Sequence, residues 1–132
     1  MRTLRTVASV RTALRPSRRE ERSVALVPTM GALHDGHLSL IRQARAEYDE
    51  VVVSSFVNPT QFGDPVDLAA YPRDEARDAG LAAEAGADLL FAPTVEELYP
   101  AGFVTHVGLE GPLASTLEAA HRGPEHFRGV AT

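Results

Sequence analysis

The clearest pattern of secondary structure lies in residues 23–57, SVALVPTMGALHDGHLSLIRQARAEYDEVVVSSFV. It opens on a short apolar run at 23–28 that suits a buried strand, and it closes on the β-branched run VVVSSFV at 51–57. Between the two runs, residues 36–48 predict an amphipathic helix with one apolar face, formed by Leu38, Ile41, Ala44 and Tyr48. A strand, a helix and a second strand at this spacing predict two parallel strands joined by a helical crossover.

Further segments extend this pattern on both sides. Residues 74–85 are rich in Ala and are followed by Gly86, so they predict a helix with a glycine stop. The apolar run DLLFA at 88–92 predicts a third strand, and residues 6–14, ahead of Pro16, predict a helix before the first strand. The alternation predicts the α/β class, as a Rossmann-type parallel sheet with helices on both faces.

Signals weaken after residue 93. We expect a single helical turn at 94–98, a strand at 103–109, a short helix at 113–120 and a loop over 122–129. No internal repeat or low-complexity linker interrupts the chain, so the sequence predicts one domain over residues 1–132.

Composition excludes several classes of protein. The chain has 132 residues, of which 44% are hydrophobic and 23% charged, as in an ordinary globular domain. It has no Cys, which excludes a disulfide scaffold, a thiol nucleophile and a cysteine zinc site, and which is compatible with a reducing cytoplasm. No apolar run approaches the ~20 residues of a membrane span, and the basic N-terminus lacks the apolar centre of a secretory signal.

Charge is unevenly distributed along the chain. The net charge of −5 speaks against a nucleic-acid-binding protein. Residues 1–22 hold seven Arg and two Glu, a net +5, whereas residues 23–132 hold six Arg and sixteen acidic residues, a net −10. The basic segment is either a solvated helix or an arm for an acidic partner. All thirteen cations are Arg, so no Lys ammonium is available for a phosphate.

The first strand-to-helix turn, PTMGALHDGH at 28–37, carries the strongest chemical signal. Such turns lie at the carboxyl ends of parallel strands, where ligands bind, and the following helix offers free N–H groups to an anion. Gly31 and Gly36 allow close approach, and two imidazoles, His34 and His37, lie three residues apart. We interpret this turn as a phosphate site rather than as two structural histidines. A metal site would need a third ligand, and the remaining histidines lie too far along the chain: His106, His121 and His126.

The next turn, VNPTQFG at 57–63, lies at the end of the second strand, where we expect it beside the first site. The neutral amides of Asn58 and Gln61 suit a small substrate with hydroxyl and carboxylate groups, although ordinary turn chemistry explains them equally well. Two weaker clusters put a cation beside an aromatic ring, and both can be surface loops: Tyr71-Pro72-Arg73 and His126-Phe127-Arg128-Gly129-Val130. Ser54 and Ser55 have no adjacent base, which argues against nucleophilic catalysis.

Five segments together resemble the pantoate–β-alanine ligase family, the pantothenate synthetases. They are PTMGALHDGH at 28–37, FVNPTQFG at 56–63, AYPRDE at 70–75, APTVEELYP at 92–100 and HFRGVAT at 126–132. H-x-G-H alone marks only a broad nucleotidyltransferase superfamily, whereas FVNPTQF and HFRGV are specific. The resemblance implies a Rossmann-type domain followed by a lid domain. It also implies that ATP and Mg²⁺ are used to adenylate pantoate, that β-alanine then forms pantothenate and AMP, and that the enzyme is a cytoplasmic homodimer.

The resemblance also assigns roles by motif. His34 and His37 bind the ATP phosphates, and His37 is the general acid. The ATP-binding segment comprises Met30, Gly31, Ala32, Leu33, His34, Asp35, Gly36 and His37. Gln61 binds pantoate and β-alanine, and the pantoate pocket is shaped by Asn58, Phe62 and Pro28. Tyr71, Arg73 and His126 are further candidates.

The chain also departs from the family pattern. Residues 118–126 contain one residue more than the usual form, and the family continues for about as many residues again, with a phosphate-binding Lys and the lid. We therefore expect residues 1–132 to be an incomplete nucleotide- and pantoate-binding domain with little ligase activity, whose unpaired first strand favours self-association. Two alternatives are a different H-x-G-H nucleotidyltransferase and a non-catalytic fragment that binds pantoate or nucleotide.

Overall fold

The computed structural model describes residues 1–108, 110–112, 116 and 125–132. The chain divides into two compact units. The first unit comprises Met1–Phe56 and Pro72–Leu98, and the second comprises Val57–Tyr71 and Tyr99–Thr132.

Helices and strands alternate along most of the chain. In chain order they are β1 (Arg2–Leu4), α1 (Val7–Ala13), α2 (Arg15–Arg19), β2 (Val24–Thr29), α3 (Asp35–Glu47), β3 (Glu50–Ser55), a 3₁₀ turn (Pro59–Gln61), α4 (Pro65–Ala70), α5 (Glu75–Glu84), β4 (Leu89–Phe91), α6 (Val95–Leu98) and α7 (Glu125–Ala131). The helices and strands expected between residues 23 and 98 are all present, which confirms this part of the prediction.

The first unit is built on a four-stranded sheet in the order β1-β4-β3-β2. All three pairings are parallel, with Ala25 opposite Val51 and Val53 opposite Leu90. The carboxyl ends of the strands therefore share one edge of the sheet, and the β2–α3 turn leaves from that edge. The predicted α/β class is confirmed.

Both faces of the sheet are covered by helices. On one face, Ile41 of α3 and Ala82 of α5 pack with Val51, Val53 and Leu90. On the other face, Leu14 packs with Val52 and Leu89. Each fully buried aliphatic side chain of this kind stabilises the fold by about 1.5–3 kcal/mol. The expected helices on both faces of the sheet are confirmed.

The sheet has one strand more than expected, and Pro16 starts a helix as well as following one. Strand β1 has only three residues and pairs with β4, so it is too short to show a period in the sequence. Pro16 lies in the first turn of α2, where its missing N–H has no partner to lose.

The second unit differs from expectation after residue 98. Residues 103–108 form no strand, so that prediction is wrong for the described part; the backbone N–H of Val107 donates instead to Thr132 Oγ1 at 3.0 Å. The loop expected over 122–129 is also wrong over its described part, since α7 spans Glu125–Ala131. Gly129 suggested a loop, but close packing against the turn at residues 59–61 holds it in a helix. The helix expected at 113–120 lies largely outside the described residues. Within the described parts of the chain, no helix is long and apolar enough to cross a membrane.

Candidate functional site

The β2–α3 turn has two residues with positive φ angles, and a buried carboxylate accepts hydrogen bonds from its backbone. Gly31 and Ala32 both have positive φ angles, +79° and +50°, and the latter is uncommon for a residue with a side chain. Asp78 of α5, only 2% exposed, accepts hydrogen bonds from the N–H groups of Ala32 at 2.7 Å and Leu33 at 2.8 Å. Because a buried carboxylate is costly without partners, these two bonds fix the turn and the carboxylate together.

His34 caps the N-terminus of α3 with its own ring. Its Nδ1 accepts a hydrogen bond from the backbone N–H of Gly36 at 3.1 Å. A backbone N–H can only donate, so Nδ1 carries no hydrogen and the neutral ring is protonated at Nε2. A Cβ on Gly36 would lie 2.9 Å from His34 Cε1, so this glycine makes room for the capping ring.

His37 lies directly against the capping ring. The ring centroids of His34 and His37 are 4.0 Å apart, and the rings are tilted by 31°. The Nδ1 atom of His37 is buried and has no hydrogen-bond partner among the described residues. An N–H buried without an acceptor is unfavourable, which favours a proton on Nε2.

Burial lowers the pKa of His37, and the neighbouring His34 lowers it further, while the negative charge of Asp78 acts in the opposite direction. The ring of His37 is therefore neutral at pH 7. Its neutral state offers an N–H donor to a ligand rather than a fixed positive charge.

The start of α3 keeps further donors free. In the described part of the chain, the backbone N–H groups of Asp35 and His37 have no acceptor. The helix dipole adds partial positive charge there, which the exposed Asp35 carboxylate partly offsets. Two imidazoles and two free amides thus place hydrogen-bond donors together at the start of α3, an arrangement suited to an anion.

Metal ligands are not gathered at this turn. Over residues 1–108, 110–112, 116 and 125–132, no group of three or more His, Asp or Glu could hold a metal ion. The described residues therefore hold no cluster that could bind Mg²⁺ through protein ligands alone, and we assign no step to the ion.

The second unit contains the two amides singled out in the sequence, and they differ sharply. Asn58 is 6% exposed and its amide is fully engaged: Oδ1 accepts from Thr60 N at 3.1 Å and Tyr99 OH at 3.0 Å, and Nδ2 donates to Gly129 O at 3.0 Å. The side chain of Gln61 is half-buried and makes no hydrogen bond within the described residues. Gln61 is therefore the amide that is available to a ligand.

The remaining candidates lie in different surroundings. Phe62 packs edge-on against Tyr71, with ring centroids 5.5 Å apart, and this contact ties together the two ends of the segment 62–71. Arg73 and Pro28 are exposed and Met30 is half-buried. His126 is buried and directs Nδ1 at the carbonyl oxygen of Gln61, 3.0 Å away.

Two residues that shape this geometry, Asp78 and Tyr99, were not singled out in the sequence. Asp78 lies on the same buried face as Ala82 and Ala85, so an acidic residue at a core position of α5 could have identified it. Tyr99 gave no signal of its own, because its role is defined by its contact with Asn58. Gly129 was noted within the cluster 126–130, but its contact with Asn58 was not predicted.

A parallel α/β sheet whose β2–α3 loop places two histidines in ring contact at a helix N-terminus defines a nucleotidyltransferase-type protein. More narrowly, the chain belongs to the pantoate-beta-alanine ligase family, whose model matches residues 2–132. It is 56% identical over 132 residues to the pantothenate synthetase of Moorella thermoacetica, covering 100% of this chain and 46% of the relative. The chain thus spans about half the length of the curated relatives that it matches.

Solved structures agree with this membership. Pantothenate synthetase from Thermus thermophilus superposes with a TM-score of 0.90 at 57% identity, covering 100% of this chain and 46% of that one. A pantoate-beta-alanine ligase from Francisella tularensis, solved in complex with beta-gamma ATP and β-alanine, has a TM-score of 0.85 at 39% identity. The match covers 98% of this chain and 49% of the Francisella chain.

Proposed function

We propose that residues 1–132 form the nucleotide- and pantoate-binding domain of an ATP-dependent ligase that joins pantoate to β-alanine. The observation that carries this proposal is the β2–α3 turn. There, His34 caps the helix, His37 packs on the capping ring, and free N–H donors surround them. Family membership supports pantoate and β-alanine as the substrates, and the Francisella relative was solved with beta-gamma ATP and β-alanine.

The first step activates a carboxylate. A carboxylate oxygen of pantoate forms a bond to the α-phosphorus of ATP, and the bond from that phosphorus to the bridging pyrophosphate oxygen breaks. Negative charge therefore grows on that oxygen of the departing pyrophosphate. The Nε2–H groups of His34 and His37 and the free N–H groups of α3 are donors suited to that charge, and each well-placed donor contributes about 3 kcal/mol.

His37 also has the means to donate a proton. Its lowered pKa keeps it neutral in the free chain, but a bound polyphosphate raises the pKa of a nearby imidazole. Binding of ATP therefore increases the protonated fraction of His37, which can then act as the general acid toward pyrophosphate.

The second step forms the amide. The amine of β-alanine attacks the carbonyl carbon of pantoyl adenylate, the bond from that carbon to the oxygen bridging to phosphorus breaks, AMP leaves with that oxygen and the bonding electrons, and the amine loses a proton. We assign Gln61 to bind pantoate and β-alanine, since its amide both donates and accepts and is unoccupied in the described residues. Asn58 shapes the pocket indirectly by holding the turn, and Phe62 does so by packing on Tyr71.

We further propose that the protein is a cytoplasmic homodimer. Among the described strands, β2 pairs only with β3, so its outer edge is unpaired, and Leu26 on this strand is 62% exposed. Unpaired edges favour association. Light scattering that shows a monomer at high concentration would contradict the dimer.

Calorimetry with separate ligands tests the proposed function. Wild-type chain is expected to bind ATP and pantoate; His37→Ala is expected to lose ATP binding and Gln61→Ala to lose pantoate binding. Gln43→Ala, an exposed amide on α3, is the matched control and is expected to bind both. A folded wild-type chain that binds neither ligand would overturn the proposal. Pyrophosphate release that depends on a phosphate acceptor rather than on pantoate would indicate a different nucleotidyltransferase.

A further inference from the structure

The segment HFRGV at 126–130 lies on α7 and contacts the turn Pro59–Gln61 directly. His126 is 8% exposed, and its Nδ1 lies 3.0 Å from the carbonyl oxygen of Gln61. A carbonyl oxygen can only accept, so Nδ1 must carry the hydrogen and donate it. The ring of His126 is thereby fixed on the backbone of Gln61.

Gly129 makes a second, independent contact with the same turn. A Cβ at this position would lie 2.3 Å from the carbonyl oxygen of Thr60, which is far inside the contact distance of real atoms. The missing side chain lets the helix backbone touch the turn backbone. The carbonyl oxygen of Gly129 also accepts the Nδ2–H of Asn58 at 3.0 Å.

Asn58 closes the other side of the turn. Its Oδ1 accepts from both the backbone N–H and the hydroxyl of Thr60, at 3.1 and 2.7 Å. Since every polar atom of this amide is engaged, its orientation is fixed. Gln61, three residues later, has a fixed backbone and a side chain with no hydrogen-bond partner within the described residues.

We propose that His126 is a positioning residue, which holds the backbone of Gln61 and so aims its free side-chain amide at the substrate. This inference rests on the proposed function, because that function gives the Gln61 amide its ligand. Burial and the engaged Nδ1 make His126 unsuited to contact substrate itself. Fixing the backbone reduces the side-chain and backbone freedom that is lost when pantoate binds, which strengthens binding.

Substitutions at position 126 separate positioning from general packing. Asparagine places an N–H close to the position of the imidazole Nδ1, whereas alanine removes the donor. We expect His126→Ala to weaken pantoate binding about tenfold without changing the Kd for ATP, and His126→Asn to restore most of the loss. His106→Ala, an exposed histidine of the same unit, is the control and should bind as wild type.

A double variant tests whether the effect passes through Gln61. In a Gln61→Ala background, His126→Ala should cause no further loss, because there is no amide left to aim. An additional tenfold loss would show that His126 acts elsewhere. Pantoate binding unchanged in a folded His126→Ala chain, or no recovery with His126→Asn, would overturn the inference.

Nitrogen-15 NMR of the imidazole tests the hydrogen bond from His126 Nδ1 to the carbonyl oxygen of Gln61 without any ligand. We expect the neutral ring of His126 to carry its proton on Nδ1; a proton on Nε2 would contradict the contact with Gln61. If the wild-type chain fails to bind pantoate while the Nδ1–H tautomer is observed, the proposed function is wrong but the hydrogen bond from His126 to Gln61 is confirmed. If pantoate binds normally and the proton is on Nε2, the inference alone fails.

Discussion

The carboxylate of Asp78 accepts a hydrogen bond from the backbone nitrogen of Ala32 at 2.7 Å, and Ala32 has a φ of +50°. A left-handed conformation disfavoured by a Cβ is thus held by a buried charge on α5. The turn that precedes His34 takes its shape from a helix 45 residues away in sequence, since Leu33 N also donates to Asp78. The geometry of the proposed phosphate site therefore depends on the packing of the sheet unit.

Asp78→Asn should destabilise the first unit. The amide can accept one of the two N–H bonds, but its own NH₂ then faces the other donor. We expect a loss of about 1–3 kcal/mol in the free energy of unfolding, measured by urea denaturation. Glu84→Gln on the exposed side of the same helix removes a charge at no comparable cost. Equal stability of the Asp78→Asn and Glu84→Gln chains would refute the role of Asp78.

Gly36→Ala should weaken ATP binding and leave stability nearly unchanged. The new Cβ displaces the His34 ring, and the lost cap costs about 1 kcal/mol, which the higher helix propensity of alanine offsets by up to about 1 kcal/mol. Gly80→Ala is the control, because a Cβ on this helical glycine meets nothing within 4 Å. That variant should gain stability and bind ATP as wild type. Undiminished ATP affinity in Gly36→Ala would contradict the capping role of His34.

His37 should titrate below the ordinary histidine pKa, with neighbours that shift the pKa in opposite directions. His34→Asn keeps a capping acceptor but removes the neighbouring imidazole, which lowers the pKa of His37, so this pKa should rise. Asp78→Asn removes a negative charge that raises the pKa of His37, so this pKa should fall. Proton NMR of the ring signals measures both. A His37 pKa that moves the same way in the two variants would show that His34 and Asp78 do not act on it in opposite directions.

The lowered pKa of His37 also affects stability. The unfolded chain, with a histidine pKa of about 6.5, binds a proton more readily than the folded one. The contribution of His37 is therefore present above that pH and is lost as pH falls through the folded-state value. His37→Gln should reduce the dependence of the unfolding free energy on pH in this range. An unchanged pH dependence would contradict the lowered pKa of His37.

Gly129→Ala should displace α7, because the added Cβ meets backbone rather than a flexible side chain. We expect a loss of about 1–3 kcal/mol in unfolding free energy and a change in the amide signals of residues 59–61. Gly108→Ala in the same unit is the control, since a Cβ there has no neighbour within 4 Å. A chain with Gly129→Ala that matches this control would disprove the close helix–turn contact.

Periodicity in the sequence predicted the helices and strands whose apolar pattern lies within the element itself. The alternation of apolar runs with Leu38, Ile41 and Ala44 sufficed for the α/β class, because a buried strand and an amphipathic helix are local patterns. The pair His34 and His37 was also predicted from H-x-G-H, although the structure brings the rings together differently than helical spacing implies, because His34 is the extended N-cap and only His37 lies on the helix.

Elements defined by distant contacts were not predictable in this way. Strand β1 is fixed by pairing with β4, and α7 is fixed by the contact of Gly129 with the turn at Thr60. A glycine in a polar segment suggests a loop until its neighbour is known. For the same reason, Asn58 suggested a ligand group, whereas its surroundings in the fold show an amide whose bonds are all internal.

Titration of the isotope-labelled chain with ATP, followed by NMR, tests most directly whether the β2–α3 turn is a nucleotide site. We expect saturable shifts in the backbone amides of Gly36 and His37 and a rise in the pKa of the His37 ring, and we expect the Gly36 shift to be lost in His37→Ala. A folded wild-type chain whose Gly36 and His37 signals stay unchanged at saturating ATP would contradict the assignment of this turn to nucleotide binding.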